Sequence, residues 1–542
     1  MSYGVAIGVL MLTGLSVAAA AAQVPDSDES RGTPGAPAAT AAAVQQLCRI
    51  DLKPEQKEQW IRLPKAETSV TQHRLAAGGK AFDYTATAGL LIVRNDDDKP
   101  IAAMSYVAYT RRDSKAPGAR PVMFAFNGGP GSSSMWLHMG VLGPKRVVVS
   151  DAATSPAPYR TVDNEFSVLD RSDLVMIDAI GTGLSRAVCG HKDEEFWGVD
   201  PDVDSFGRFI AQYLSDNLRW TSPKYLLGES YGSTRAPAIV NYLRNRRALA
   251  FNGLILVSVA TDIEAIFAEI PGNDRPYAAY LPAYAAVAWY HHALPSQPPA
   301  LEPFLSEVRA FAMGEYATAL LKGDALSDGE RTAIAEKMHA YTGLPEDYLK
   351  AANLRVAQSA FTHELLRARR LTVGRLDGRF TGATPDPLAK DSDYDPQAEA
   401  ISAAYAAAFL DYYHGELRFG QGGDYRPRDY EIGNHWKWTH NPGQRGPEGE
   451  RTQMAVNSGV DLAEALFKDA NLRVLVMNGI YDLATPFSAT EYVMTHLGVP
   501  PEIGARIQMK LYEAGHMMYV NPASIAKFRA DLDAFIDATA RQ

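Results

Sequence analysis

The sequence predicts an α/β fold: a mostly parallel central sheet with a helical cap insertion. Two observations predict it. Short apolar runs at Val122, Leu174, Tyr225, Leu254, Val474 and Ile507 alternate with helical stretches, the pattern of parallel strands joined by crossover helices. Between Thr261 and Asn441 that strand signal fades into segments rich in alanine and charge with helical spacing, such as Glu330 to Tyr341 and Pro396 to Tyr413. The expected organisation is a core in two parts, residues 47–260 and 442–542, interrupted by a mostly helical cap at 261–441.

The chain opens with the apolar run Val5 to Val17, followed by Ala18 to Ala22. This has the length of a signal-peptide h-region with an A-x-A ending, so residues 1–22 are expected to be a signal peptide, although its n-region has no Lys or Arg. A retained membrane anchor is the alternative, and the run is short and alanine-rich for one. Residues 23–46, rich in Pro, Ala, Ser and Gly, read as a flexible leader. No later run reaches spanning length, so the mature chain is expected in a periplasm or outside the cell without stable membrane association.

Phe82 to Ala88 and Leu90 to Arg94, then Ile101 to Tyr109 beyond the polar Asn95-Asp-Asp-Asp-Lys-Pro100, suggest antiparallel edge strands and a hairpin. The strand at Val122 runs into Asn127-Gly-Gly-Pro-Gly-Ser-Ser133. Glycines after a strand let backbone N–H groups converge on one point without a Cβ in the way, as an oxyanion hole requires. A phosphate loop is the competing reading, but it lacks the Gly-Lys-Ser/Thr ending.

After the strand at Tyr225 comes Gly228-Glu229-Ser230-Tyr231-Gly232, a G-x-S-x-G turn into a helix. Such a turn forces its serine into a strained conformation with the hydroxyl projecting at the sheet's carboxyl edge, which makes Ser230 a candidate nucleophile. An isolated pentapeptide of this kind can also be an ordinary glycine turn. Asp482 follows the strand at Val474, and His516 follows the strand at Ile507. Serine, then aspartate, then histidine, each past a strand end, is the order of the α/β-hydrolase triad.

Asn127-Gly-Gly-Pro-Gly-Ser-Ser133, Asp178-Ala-Ile-Gly-Thr-Gly-Leu-Ser185, Gly228 to Gly232, Asn478-Gly-Ile-Tyr-Asp482-Leu-Ala-Thr-Pro486 and Gly515-His-Met517 together resemble the serine carboxypeptidases, peptidase family S10. The resemblance implies an α/β-hydrolase fold with a helical insertion, and an exported, bacterial member that removes single residues from peptides with a free C-terminus. Matched position by position, it implies Ser230 as nucleophile, His516 as general base and Asp482 as the orienting acid. Backbone N–H groups of Gly129 and Tyr231 match the family's oxyanion hole, and Asn127, the Gly128 amide and Glu229 match its carboxylate-binding positions. Two acidic groups share a short hydrogen bond only if one is protonated, so Glu229 must be neutral to receive a substrate carboxylate. An esterase or acyltransferase on the same triad is the alternative activity. A non-enzymatic binding protein would normally have lost a triad member. Two positions depart from the family: its tryptophan before the asparagine is Ala125, and its acid before Leu-Gly-Pro is Val141. Both missing groups belong to the hydrogen-bond network around Glu229.

A chain of 542 residues that is 46% hydrophobic can bury a large core. A net charge of −10 with no basic stripe argues against nucleic acid, and Arg367-Ala-Arg369-Arg370 reads as a solvated helix face. No cofactor is implied. His291, His292, His363, His414, His435 and His440 show no i, i+4 pair around a glutamate, so no metal site is expected. Cys48 and Cys189 are the only cysteines; a single bridge is open to them in an oxidising compartment. Trp436, Trp438, Tyr412 and Tyr413 read as packing residues, with lining a pocket as the alternative.

Overall fold

The computed structural model describes residues 47–50, 59–62, 67–114, 117–267, 271–442 and 452–540. The signal peptide and leader expected at residues 1–22 and 23–46 lie outside the described residues. The centre of the fold is a ten-stranded sheet. Its strands are β1 (Thr68–Ala77), β2 (Lys80–Arg94), β3 (Pro100–Arg111), β4 (Val122–Phe126), β5 (Asp173–Ile177), β6 (Arg186–Ala187), β7 (Lys224–Glu229), β8 (Gly253–Val257), β9 (Arg473–Gly479) and β10 (Ile507–Tyr512). They lie in the order β10-β9-β8-β7-β4-β5-β3-β2-β1, with β6 paired to β3.

All six runs read as parallel strands pair in parallel, from β10 through β5. Beyond them β3, β2 and β1 are antiparallel. The two runs at Phe82 and Leu90 form one continuous strand, β2, which makes the hairpin with β3. The outer strand β1 was not apparent in the sequence. Its alternation of exposed and half-buried residues carries few large apolar side chains, so it lacks the signal of a core strand.

The inner parallel strands β4, β7 and β8 are buried on both faces, which is why they read as unbroken apolar runs. Met123, Leu227, Ile255 and Met477 point to one side, where α6 (Pro396–Gly415) and α8 (Pro522–Thr539) cover them. Phe124, Leu226, Leu256 and Val476 point to the other, under α1 (Val199–Asp216), α2 (Tyr231–Arg247) and α7 (Gly459–Lys468).

The stretch 261–441 is mostly helical, including α3 (Arg275–Tyr290), α4 (Leu301–Phe311), α5 (Asp328–Thr342) and α6. Its members pack in two places. The first three share a separate apolar cluster that also takes in Tyr481, Leu483 and Phe487, whereas α6 belongs to the core of the sheet itself. A small hairpin, Leu371–Val373 with Thr381–Ala383, interrupts the helices. Arg367 to Arg369 form a short 3-10 turn rather than a regular helix face. Among the described residues no helix is long and apolar enough to cross a membrane.

Register fixes the site. Phe126 is level with Gly228, Glu229 with Val257, Val257 with Met477, and Gly479 with Tyr512. The loops that follow β4, β7, β8, β9 and β10 therefore all leave from one carboxyl edge, where ligands bind in open α/β sheets.

Candidate active site

β7 ends at Glu229 and α2 begins at Tyr231, which leaves Ser230 alone in the turn at φ 60° and ψ −129°. A non-glycine residue held so costs about 1–3 kcal/mol, which the surroundings must supply. The Ser230 N–H donates to the Val257 carbonyl at 2.9 Å, and its own carbonyl accepts from the Ser233 N–H at 2.8 Å and the Ser233 hydroxyl at 2.6 Å. A Cβ on Gly228 would lie 2.0 Å from the Gly232 carbonyl oxygen. The glycine before Ser230 is thus required by the close crossing of the turn, which is the physical content of the G-x-S-x-G spacing.

Asp482 is fully buried just beyond β9. Its Oδ1 accepts from the N–H groups of Ala484 at 2.7 Å and Thr485 at 2.9 Å, and its Oδ2 accepts from the Thr485 hydroxyl at 2.7 Å. The same Oδ2 lies 2.8 Å from His516 Nδ1. An imidazole so held presents its other nitrogen, Nε2, away from the acid. Burial opposes a charge on His516, but the Asp482 carboxylate outweighs it and the pKa is raised above its ordinary value. Glu229 adds to the rise and Arg375 opposes it.

The His516 loop is also clamped from the helical stretch. The His516 N–H donates to the Leu376 carbonyl at 2.6 Å, and the Gly515 N–H donates to Asp377 Oδ2 at 3.1 Å. A Cβ on Gly515 would stand 2.3 Å from the Asp377 Cβ, so the loop requires glycine there. The Asp178 carboxylate has different work: it accepts from the Ser134 N–H at 2.8 Å and the Ser105 hydroxyl at 2.9 Å, tying the loop after β4 to β3.

Asn127 and Glu229 face each other from the ends of β4 and β7. The Asn127 amide donates to Glu229 Oε1 at 2.7 Å, while Asn127 Oδ1 accepts from the Leu137 N–H at 3.0 Å. Beneath them Arg235, fully buried, donates to the Asn127 carbonyl at 2.9 Å and to Asp202 at 2.6 Å. Burial pushes the Glu229 carboxyl up to about 7, against the pull of His516 and of the Tyr519 and Asn127 side chains. Glu229 Oε2 and the Tyr519 hydroxyl are buried without a formed hydrogen bond among the described residues. Tyr519 packs in the same core as Ala125 and Val141, and its ring occupies the space over Gly140.

One cavity brings the sequence-predicted residues together. Asn127, Gly128, Gly129, Glu229, Ser230, Tyr231 and His516 all line it, with Asp482 behind the imidazole. Trp438 lines it too, edge-on to the Tyr231 ring at 5.9 Å. Trp436 packs on the same ring at 5.1 Å, and Tyr412 and Tyr413 are core residues. His440 is held between Asp200 at 2.5 Å and Asp461 at 2.8 Å. The sequence alone assigns no role to Thr485, Tyr519, Arg375 or Arg428. Thr485 and Tyr519 sit three positions beyond Asp482 and His516, a local signal, whereas nothing local marks the arginines. Cys189 is disulfide-bonded, and the chain's other cysteine is Cys48.

No protein of curated function matches the chain. Among solved structures it is similar to Kex1, a prohormone-processing carboxypeptidase of Saccharomyces cerevisiae, at 15% identity over 84% of this chain and 91% of that one, with a TM-score of 0.53. It is also similar to the proline iminopeptidase of Mycobacterium smegmatis, at 15% identity over 83% and 98% of the two chains and a TM-score of 0.35. A third is the peroxisomal α/β-hydrolase Lpx1 of Saccharomyces cerevisiae, at 10% identity over 87% and 90% with a TM-score of 0.36. The likeness to Kex1 gives the fold as that of the α/β-hydrolases. Residues 79–264 match the family model of the serine carboxypeptidases, and they contain the Asn127 loop, the Asp178 loop and the Ser230 elbow. Over those residues the chain is similar to the serine carboxypeptidases, peptidase S10.

Proposed function

We propose that this serine-type carboxypeptidase releases single residues from peptides with a free C-terminus through a Ser230-His516-Asp482 triad and an acyl-enzyme. One observation carries the reading: the buried Asn127–Glu229 pair, at 2.7 Å, opens on the cavity that also holds Ser230 and His516. A carboxyl kept neutral by burial can donate to a carboxylate, and a hydrolase that recognises a chain end needs such a group.

The peptide's terminal carboxylate accepts from neutral Glu229, the Asn127 amide and the Gly128 N–H, which sets the last peptide bond over Ser230. His516 Nε2 takes the Ser230 proton as the hydroxyl oxygen bonds to the scissile carbonyl carbon. The N–H groups of Gly129 and Tyr231 receive the negative oxygen that results. The C–N bond then breaks, His516 returns its proton to the leaving amine, and the acyl group stays on Ser230. Water repeats the cycle and frees the shortened peptide. An esterase or acyltransferase using the same triad has no need of a neutral carboxyl beside its nucleophile.

Residues 261–441 act as the cap over this cavity, between core parts 47–260 and 442–542; Arg375, Ile401 and Trp438 in its lining support that division. We also infer export to a periplasm or out of the cell, supported by the apolar run Val5 to Val17 and by the disulfide at Cys189.

The test is release of free amino acid from an N-blocked dipeptide, together with labelling by a serine-directed organophosphate. Wild type should do both, with the label on Ser230, and Ser230→Ala should do neither while melting at the same temperature. Full activity in the alanine variant would remove Ser230 from the reaction.

A further inference from the structure

The lining of the cavity contains two arginines that the proposed reaction does not use, Arg375 and Arg428. Each is fixed by its backbone to part of the site. The Arg375 carbonyl accepts from the Leu483 N–H at 3.0 Å, next to Asp482, and the neighbouring Leu376 carbonyl holds His516. Arg428 pairs with Ser132 in an isolated bridge, flanked by hydrogen bonds from the Ser133 N–H to the Pro427 carbonyl at 3.0 Å and from the Asp429 N–H to the Gly131 carbonyl at 2.8 Å. One arginine therefore moves with the triad loops and the other with the loop that carries Asn127.

Neither guanidinium has an ion-pair partner within 4.0 Å among the described residues. Arg428 is half-buried against the Tyr430 ring, 4.6 Å from its centre; burial disfavours its charge, and the charge of Arg375 adds to that. The carboxylate that acts on it is Asp395, whose two oxygens are already engaged by the N–H groups of Leu376 at 2.7 Å and Ala398 at 2.8 Å. The other charge-bearing groups of the lining are Glu229, neutral over the acidic range, and His516. Two arginines thus line a cavity whose own carboxyl does not neutralise them. An arginine short of a partner is completed by a carboxylate, which its fork of donors matches in geometry.

Resting on the carboxypeptidase reading, we propose that Arg375 and Arg428 select peptides whose C-terminal residue is acidic, its side-chain carboxylate lying between the two guanidinium groups while its main-chain carboxylate takes Asn127 and Glu229. Arg428 stands beside Ser132, on the loop that carries Asn127, so a residue anchored at Asn127 has its side chain within reach of this wall. The apolar part of the lining, Ile263, Phe267 and Trp438, is left for the preceding residue.

The experiment compares kcat/KM for N-blocked dipeptides that differ only in the last residue: Glu, Gln, Leu and Lys. Glutamine has the shape of glutamate without the charge, so the Glu to Gln ratio isolates the electrostatic contact. In wild type that ratio should be about tenfold or more, the scale of one charge-assisted hydrogen bond, and Lys should be the poorest. Arg375→Gln and Arg428→Gln should each lower the ratio, and the double variant should bring it to about one while changing turnover of the Leu substrate by less than about threefold. Since neither side chain carries an ion pair, the variants should melt with wild type. Cleavage of Leu and Gln substrates as well as or better than Glu in wild type, or a Glu preference that survives the double variant, would overturn the proposal and leave the carboxypeptidase reading intact. Release of no amino acid from any of the four would overturn both.

Discussion

The Asn127 amide donates to the Glu229 carboxyl at 2.7 Å, joining the ends of two adjacent parallel strands, and burial raises that carboxyl to about 7. Below that pH Glu229 is neutral and can donate to a substrate carboxylate; above it the two negative groups repel. KM for a free-acid peptide should accordingly stay level in the acidic range and climb as pH rises through about 7, while kcat holds or rises as His516 loses its proton. Amidating the same peptide should remove the climb, and Glu229→Gln should flatten it. Steady-state kinetics between about pH 4 and 8 decide the matter: a pH-independent KM for the acid in wild type would take Glu229 out of carboxylate recognition.

The same carboxyl leaves a mark on stability. Its pKa rises from 4.5 in an exposed chain to about 7 when folded, so its contribution is fully present below about 4.5 and is lost as pH rises through about 7. At higher pH the buried charge costs up to about 3 kcal/mol, a cost that a glutamine does not bear. The Tm of Glu229→Gln should be close to wild type near pH 4 and exceed it by a few degrees near pH 8, on the order expected of that energy. A constant gap across the range in thermal melts would show that the burial cost is met some other way.

Asp482 and Asp178 both follow strands of the sheet, and only the first meets His516. Asp482→Asn should keep the fold and lower kcat by about 10⁴, the scale for neutralising the orienting acid of a triad. Asp178→Asn instead loosens the Ser134 and Ser105 contacts and should act mainly on stability. Turnover measured beside denaturant melts separates the two. If the losses fell the other way round, Asp178 would be the orienting acid.

The Gly515–Asp377 contact links the histidine loop to the helical stretch. Gly515→Ala would drive a Cβ to 2.3 Å from the Asp377 Cβ, and overpacking of that kind costs about 1–3 kcal/mol. Since the relief is to move the loop, kcat should fall by more than the loss of stability alone explains. An alanine variant with wild-type kcat and Tm would mean that the loop shifts without disturbing His516.

These cases also mark what was legible beforehand. The parallel strands and the Ser230, Asp482 and His516 positions showed in the sequence because apolar runs and glycine turns are local signals, set by burial on both faces and by one tight crossing. The clamp of Leu376 and Asp377 on residues 515–516 did not show, since it joins segments about 140 positions apart through main-chain groups and one side-chain carboxylate that no local pattern marks. The same holds for Arg375 and Arg428, brought to one cavity only by the folded loops. The outer strand β1, half-exposed and poor in large apolar residues, gave no periodic signal to read.

Tyr519 bears on the two departures from the family at Ala125 and Val141. Neither an alanine nor a valine can hydrogen-bond to Glu229, yet the core around them holds the Tyr519 hydroxyl beside both Glu229 and Asn127. Burial raises the Tyr519 hydroxyl well above its ordinary value, so it keeps its proton near the Glu229 carboxyl. A donor favours the ionised carboxylate, and this one pulls the Glu229 pKa down against the larger effect of burial. Tyr519→Phe keeps the ring that fills the space over Gly140 and removes only the hydroxyl. The Glu229 carboxyl should then hold its proton to higher pH, moving the KM climb for free-acid peptides upward while leaving amide substrates unaffected. His516, Asp482 and Tyr405 also act on this carboxyl or are acted on by it, and all three stay in place in the variant. A shift downward, or an equal change for acid and amide substrates, would mean that Tyr519 supports the site by packing alone.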